Sequence, residues 1–294
     1  MERVVVAGHV NWDVTLRVDA LPVPDGEARI RERTSAGGGS AGNVAVALAR
    51  LQVPSGVVGS VGDDERGRDA AAEFDEAGVE RSHLRVAADA PTSLKYLVVA
   101  PDGQVMVLGN DGANEAFEPS AGDETYVAAA DHLHLTSQRP AAARVLASAA
   151  REAGVPVSFD PGRRLGARDF SAVFALADYV FMNDREAAAA GGAATRPEAV
   201  RVVKRGAAGA VVETPTGRVE HPGYDVEAVD TTGAGDAFAA GFIASLESGD
   251  DYETALARAN ACGALASTTV GARTVPTRAE LRAFLSTRGE EVSA

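Results

Sequence analysis

Short, mostly apolar runs recur along the chain, at residues 3–8 (RVVVAG), 131–135 (DHLHL), 155–160 (VPVSFD), 177–182 (ADYVFM) and 200–206 (VRVVKRG). Strands covered on both faces carry such runs, which therefore predict a largely parallel α/β sheet. Residues 57–67 add a strand and turn, and residues 83–86, 209–213 and 218–221 add shorter strands. Ala-rich segments at 41–51, 68–77, 140–153 and 236–245 read as helices between them, and residues 277–286 close the chain as an amphipathic helix. Two strand pairs break this rhythm. Residues 13–18 and 27–33 flank a Pro/Gly turn, and residues 93–100 and 104–108 flank a Pro-Asp-Gly turn. Their polar and apolar positions alternate, as in strands with one wet face, and neither pair sits between helices.

Candidate chemistry lies where glycines meet these elements. Thr232–Gly235 runs straight into the helix at 236–245. Backbone N–H groups and the helix dipole make such a turn an anion site, most naturally for phosphate. Asp236 stands at the helix start, as an N-cap or as a base that takes a proton from an attacking hydroxyl. A second glycine-rich stretch, residues 36–46 (AGGGSAGNVAV), also leads into a helix. It contains G-x-S-x-G, but the charged residues before it are no buried central strand, which argues against a hydrolase nucleophile elbow. Asn11 and Asp13 lie beyond the end of the first strand, where open α/β sheets bind ligands; an Asx turn is the plainer reading. His132 and His134 share one strand face with no evident third ligand, which favours a hydrogen-bonding role over a metal site.

The motifs DTTGAGDAF (residues 230–238) and AGGGSAGNVAV together resemble the two signatures of the ribokinase-like (PfkB) carbohydrate kinases. The resemblance extends over nearly the whole chain and is closest to archaeal sugar and nucleoside kinases. It implies a three-layer α/β/α sandwich with a mostly parallel central sheet and a small β-sheet lid. The expected division is residues 1–12, 36–91 and 112–294 for the α/β domain, and 13–35 and 92–111 for the lid. It further implies that Asp236 is the catalytic base and that the Gly233, Ala234 and Gly235 amides form an anion hole. By the same resemblance, Asn11, Asp13, Gly38, Gly39 and Asn43 hold the sugar, and Arg164, in Asp-Pro-Gly-Arg-Arg, sits near substrate and phosphate. Asn183 and Glu186 match an N-x-x-E motif that organises Mg²⁺ through water near the phosphates. Lys204, Gly206 and Gly209 match a nucleotide-binding turn. Asn260 and Gly263 fall on the helix that flanks adenine, Thr232 borders the phosphates, and Asp230 and Thr232 match a loop that holds K⁺ in several members. Ser40 replaces the Lys usual in ribokinases proper, which puts free ribose in doubt. The expected reaction moves the γ-phosphoryl of ATP to a hydroxymethyl group of a sugar. The alternatives are a nucleoside or a sugar phosphate such as ribose 1-phosphate as acceptor, and more remotely a non-catalytic sugar-binding homologue. A homodimer through the lid is also implied.

Composition adds exclusions. The net charge is −14, from 28 basic and 42 acidic residues, so a basic nucleic-acid-binding face is not expected. Only Lys95 and Lys204 are lysines, and an acidic, Lys-poor, Ala-rich chain points to a salt-adapted organism whose enzyme gains activity with KCl. Cys262 is the single cysteine, which rules out an internal disulfide and fits a reducing cytoplasm. No apolar run reaches eighteen residues, so no membrane helix is expected, and the first residues read as a strand rather than a signal peptide. No P-loop, protein-kinase or dinucleotide fingerprint is present.

Overall fold

The computed structural model describes residues 3–190, 195–271 and 273–290. In chain order its strands are β1 (Val4–Ala7), β2 (Asn11–Val18), β3 (Ile30–Gly38), β4 (Ser55–Gly62), β5 (Leu84–Ala87), β6 (Ser93–Val99), β7 (Val105–Gly109), β8 (His132–Leu135), β9 (Val157–Phe159), β10 (Tyr179–Asn183), β11 (Val200–Lys204), β12 (Ala210–Thr214) and β13 (Gly217–His221). The helices are α1 (Ser40–Arg50), α2 (Glu65–Ala77), α3 (Gly112–Ala116), α4 (Ala121–Ala128), α5 (Pro140–Glu152), α6 (Ser171–Phe174), α7 (Asp184–Ala190), α8 (Ala234–Glu247), α9 (Tyr252–Ser267) and α10 (Arg278–Ser286).

The all-apolar strands do what their composition demands. β1 is buried along its length and sits inside a nine-stranded sheet of order β13-β12-β11-β10-β9-β8-β1-β4-β5. Pairing is parallel from β5 to β11, and only β12 and β13 are joined by antiparallel ladders. One face packs on α1, α8 and α9 around Leu48, Phe242 and Leu256; the other packs on α5 and α6 around Leu133, Leu146 and Phe159. These are the three layers expected.

The two alternating pairs form one separate sheet of order β3-β2-β6-β7. Its middle pair, β2 and β6, is parallel, because the two hairpins are joined side by side rather than end to end. β3 starts later and runs longer than the polarity pattern predicts. Asp19 delays pairing by taking the Arg29 N–H on its carboxylate at 3.0 Å, and the ladder then continues through Gly38. Besides the short helices α3, α6 and α7, two longer ones were not predicted from periodicity. α4 is announced by a reciprocal Ser120–Asp123 capping box, and α9 is buried on several sides, so no polar stripe marks it.

Parallel strands place their carboxyl ends along one edge. His9 and Asn11 follow β1 there, Asp160 follows β9, and Asn183 and Lys204 end β10 and β11.

Candidate active site

Asp236 lies in the first turn of α8, and the chain reaches it through Gly233, whose φ of +77° is a left-handed conformation suited to glycine. Its carboxylate accepts a hydrogen bond from Asn43 Nδ2 at 2.8 Å, which joins the two glycine-rich motifs in space. Burial pushes its pKa up to about 6; the Asn43 hydrogen bond opposes this, Asp160 adds to it, and Lys204 and the Ser40 hydroxyl also pull it down. Lys204 Nζ pairs with Asp160 at 2.5 Å. Burial works against the Lys204 charge, yet Asp160, Glu186 and Asp236 together raise its pKa and keep it an ammonium. A Cβ on Gly235 would stand only 3.6 Å from that ammonium, so Lys204 lies beside the helix start. Glu186 is 9% exposed, with its pKa raised by burial first and Asp160 second. It also closes a capping box: Asn183 N–H donates to Glu186 Oε2, and Glu186 N–H to Asn183 Oδ1, both at 2.9 Å. The plain capping role and the clustering with Asp160, Lys204 and Asp236 hold together.

Beside this cluster lie polar atoms with nothing to bind. Asn11 Nδ2, Asp13 Oδ1 and Asn43 Oδ1 are all buried without a hydrogen-bond partner among the described residues. Leaving such groups unpaired costs about 1–3 kcal/mol each, so water or a ligand has to meet them. Asn114, a residue the motifs did not single out, holds Asn11 in place. Its Nδ2 donates to Asn11 Oδ1 at 2.7 Å, and its Oδ1 accepts the Val10 N–H at 3.1 Å. That fixes the Asn11 amide so that its Nδ2 must donate elsewhere. Gly38 and Gly39 make room for these groups: a Cβ on Gly38 would meet Asp13 Oδ2 at 2.2 Å, and one on Gly39 the His9 carbonyl at 2.3 Å. Burial raises the Asp13 pKa, while Lys95 and Arg273 oppose the rise.

Asn11, Asn43, Asp236 and the glycine-led start of α8 thus share one edge of the sheet. The family model for the pfkB family carbohydrate kinases matches residues 1–278. The chain belongs to that family. A relative from Halopiger xanaduensis, an ATP-dependent ribose-1-phosphate kinase, is 55% identical, covering 98% of this chain and 99% of its own. Among solved structures, Arabidopsis thaliana ribokinase complexed with ribose and ATP has a TM-score of 0.86 at 24% identity, covering 97% of this chain and 98% of its own. Methanocaldococcus jannaschii nucleoside kinase has a TM-score of 0.87 at 23% identity, covering 98% and 99%. The chain is a carbohydrate kinase with the ribokinase-like fold, and its Halopiger xanaduensis relative is an ATP-dependent enzyme.

The remaining expected residues of the kinase are more widely spread. Arg164 is held by Asp111 and, at 3.3 Å, by Glu115. Gly206 and Gly209 bound a 3₁₀ turn, and a Cβ on Gly209 would strike the His221 carbonyl at 2.0 Å, so that glycine serves close backbone packing. Asn260 donates to the Leu256 carbonyl one turn back at 2.8 Å. A Cβ on Gly263 would meet the Ala234 carbonyl at 3.2 Å, so this glycine lets α9 press against the start of α8. The Asp230 carboxylate staples two loops, accepting Thr232 N–H at 2.9 Å and Gly271 N–H at 3.0 Å. The two buried histidines do form hydrogen bonds: His132 Nε2 and His134 Nδ1 both meet Ser158 Oγ, at 2.8 and 2.7 Å. Among the described residues no helix is long and apolar enough to cross a membrane.

Proposed function

We propose that this kinase phosphorylates the 5-hydroxymethyl group of ribose 1-phosphate, with ATP as donor. The observation that carries the acceptor is the 55% identity to an ATP-dependent ribose-1-phosphate kinase over nearly both full lengths. The orphaned Asn11, Asp13 and Asn43 atoms support a ribosyl ring in the pocket, since adjacent sugar hydroxyls both donate and accept.

Asp236 is the base in this reading. The attacking oxygen loses its proton to the carboxylate as the new O–P bond forms, and the γ-phosphorus parts from the β-phosphate oxygen to give ADP and a ribose bisphosphate. A carboxylate with a pKa near 6 is ionised at neutral pH and more basic than an exposed Asp. The Gly233–Asp236 turn and the Lys204 ammonium face developing negative charge on the phosphoryl group. Asn183, Gly206, Gly209, Thr232, Asn260 and Gly263 are proposed to line the nucleotide site. Glu186 leaves one carboxylate oxygen outside its capping box, near Asp160, a donor set that fits Mg²⁺ bound mainly through water and neutralising phosphate charge. Asp230 and Thr232 are the proposed K⁺ loop. The small sheet, 11–18, 30–38, 93–99 and 105–109, is the proposed lid over the acceptor, and two copies are proposed to associate through it. Supporting this, Val105, Met106, Val107 and Leu108 are exposed along the edge strand β7, with Ile30 exposed on the opposite edge strand β3, and a lone protein would leave the apolar β7 edge open to pairing.

The test is ADP release with ATP and Mg²⁺ across ribose 1-phosphate, ribose, fructose, adenosine, inosine and cytidine. Ribose 1-phosphate should give the highest kcat/KM, and turnover should vanish in Asp236→Asn. A nucleoside or free sugar outrunning it would replace the acceptor.

A further inference from the structure

We infer that Lys95, Arg164, Arg168 and His9 form the subsite for the anomeric phosphate of the acceptor; this rests on the ribose 1-phosphate reading above.

The subsite adjoins the sugar-binding residues through a continuous chain of bonds. Asn114 of α3 holds Asn11 at 2.7 Å, and its neighbour Glu115 holds Arg168 at 2.6 Å and Arg164 at 3.3 Å. Asp111, which opens the same segment, grips Arg164 from the other side. Lys95 arrives from β6, in register with Asp13 on the parallel strand β2, so both residues occupy the same level of the small sheet. His9 lies two residues before Asn11 and is 7% exposed.

Two atoms of this group are buried and unpartnered among the described residues, His9 Nε2 and Arg168 Nη1. Lys95 has no carboxylate within ion-pair distance among them, although 42 acidic residues stand against 28 basic ones in the chain. Arg164 and Arg168 share the carboxylates of Asp111 and Glu115, while Lys95 stands level with Asp13 and favours its charge without an ion pair between them. Glu115 and Asp111 hold the Arg164 guanidinium from two sides, and Glu115 holds Arg168 through Nη2 alone, which leaves Arg168 Nη1 for a further acceptor. The surroundings of His9 are charged by Lys95, Arg164, Arg168 and Asp111, and burial together with those cations drives its pKa down to about 3. It is therefore a neutral imidazole, able to donate one N–H without adding charge. The base has a different charge environment, set by Asp160 and Lys204. An acceptor with a hydroxymethyl group at one end and a phosphate at the other matches two separate sites of this kind. A free sugar would leave the second one unpaired.

The experiment compares kcat/KM for ribose 1-phosphate and for ribose, with ATP, in the wild-type enzyme, Lys95→Met, Arg168→Met and Lys95→Arg. The subsite requires the ratio of the two specificities to fall at least tenfold in each Met variant, mainly through KM for ribose 1-phosphate, and to recover in Lys95→Arg. A merely structural role would lower both substrates together and leave the ratio unchanged; that outcome overturns the subsite while ribose 1-phosphate remains the acceptor. Wild-type enzyme that turns over ribose or a nucleoside but not ribose 1-phosphate overturns the acceptor reading itself. Thermal melting and ATP binding of each variant exclude a failure to fold as the source of a lowered rate.

Discussion

Asp236→Asn separates catalysis from stability. The folded protein holds this carboxyl at a pKa of about 6 against an ordinary 3.8, mainly by burial. Folding therefore disfavours the charged form. Below 3.8 both folded and unfolded chains hold the proton and nothing is lost; as pH rises through the folded value, the folded state pays the full penalty. The difference is worth about 3 kcal/mol at pH 8, about 1.5 at pH 5 and about 0.5 at pH 4. Asparagine removes that charge and can still accept the Asn43 hydrogen bond through its own oxygen. The variant should therefore be more stable than wild type at pH 8, and its advantage should shrink toward pH 4. With about 2–4 °C per kcal/mol, the gain at pH 8 is roughly 6–12 °C in melting temperature. Turnover should fall by several orders of magnitude, with ATP binding retained. The assay is a pair of melting series across pH at fixed KCl, with ADP release measured on the same preparations. A stability difference independent of pH would refute the claim that the buried charge is strained. Retained turnover would remove the base assignment.

Three further expectations follow from neighbouring groups. Lys204→Met leaves Asp160 buried without its ammonium partner, a loss of about 3–5 kcal/mol, and should move the acid limb of the kcat profile above pH 6 because a cation that lowers the Asp236 pKa is gone. A limb that stays in place would separate Lys204 from the base. Asn114→Ala frees both the Asn11 oxygen and the Val10 N–H, and should raise the acceptor KM roughly 5- to 100-fold with a smaller change in kcat, as read by steady-state kinetics. An unchanged KM would detach Asn11 from acceptor binding. Leu108→Lys charges the exposed edge strand β7 and should convert a dimer to a monomer in sedimentation; a monomeric wild type would end the pairing proposal.

Much of this was legible from residue order because the chemistry sits in short contiguous motifs. Gly233–Asp236 carries its turn, helix start and acid within four residues, and the apolar runs of β1 and β8 to β11 can only be covered strands. Asn114, Lys95 and Arg168 were not legible. Their surroundings come from far away in sequence: Asn114 reaches Asn11 across 103 positions, Arg168 reaches Glu115 across 53, and Lys95 stands level with Asp13 on a neighbouring strand. Only the small sheet and α3 bring them together. Asp160 had a motif around it but no visible partner until β9 and β11 placed it against Lys204. Glycines were harder still. Gly38 and Gly263 match a family pattern, but the reasons for them, an Asp13 oxygen and an Ala234 carbonyl, appear only in space. α9 escaped periodicity because a helix buried on several sides shows no polar stripe to count.

β2 pairs within the small sheet from Asn11 onward, so the residues proposed to grip the acceptor stand at the root of a lever whose arm is the rest of the proposed lid. A tilt of that arm turns Asn11 and Asp13, and an acceptor that fixes them fixes the tilt; by linkage the two effects are equal. Water cannot reach from Asn11 to Asp236 and so has no grip on the lever. Discrimination against ATP hydrolysis would then be mechanical as well as chemical. On this view 5-deoxyribose 1-phosphate, which grips the root but offers no 5-hydroxyl, should speed ATP hydrolysis above its acceptor-free rate, and no stimulation would mean that the arm and its root move independently.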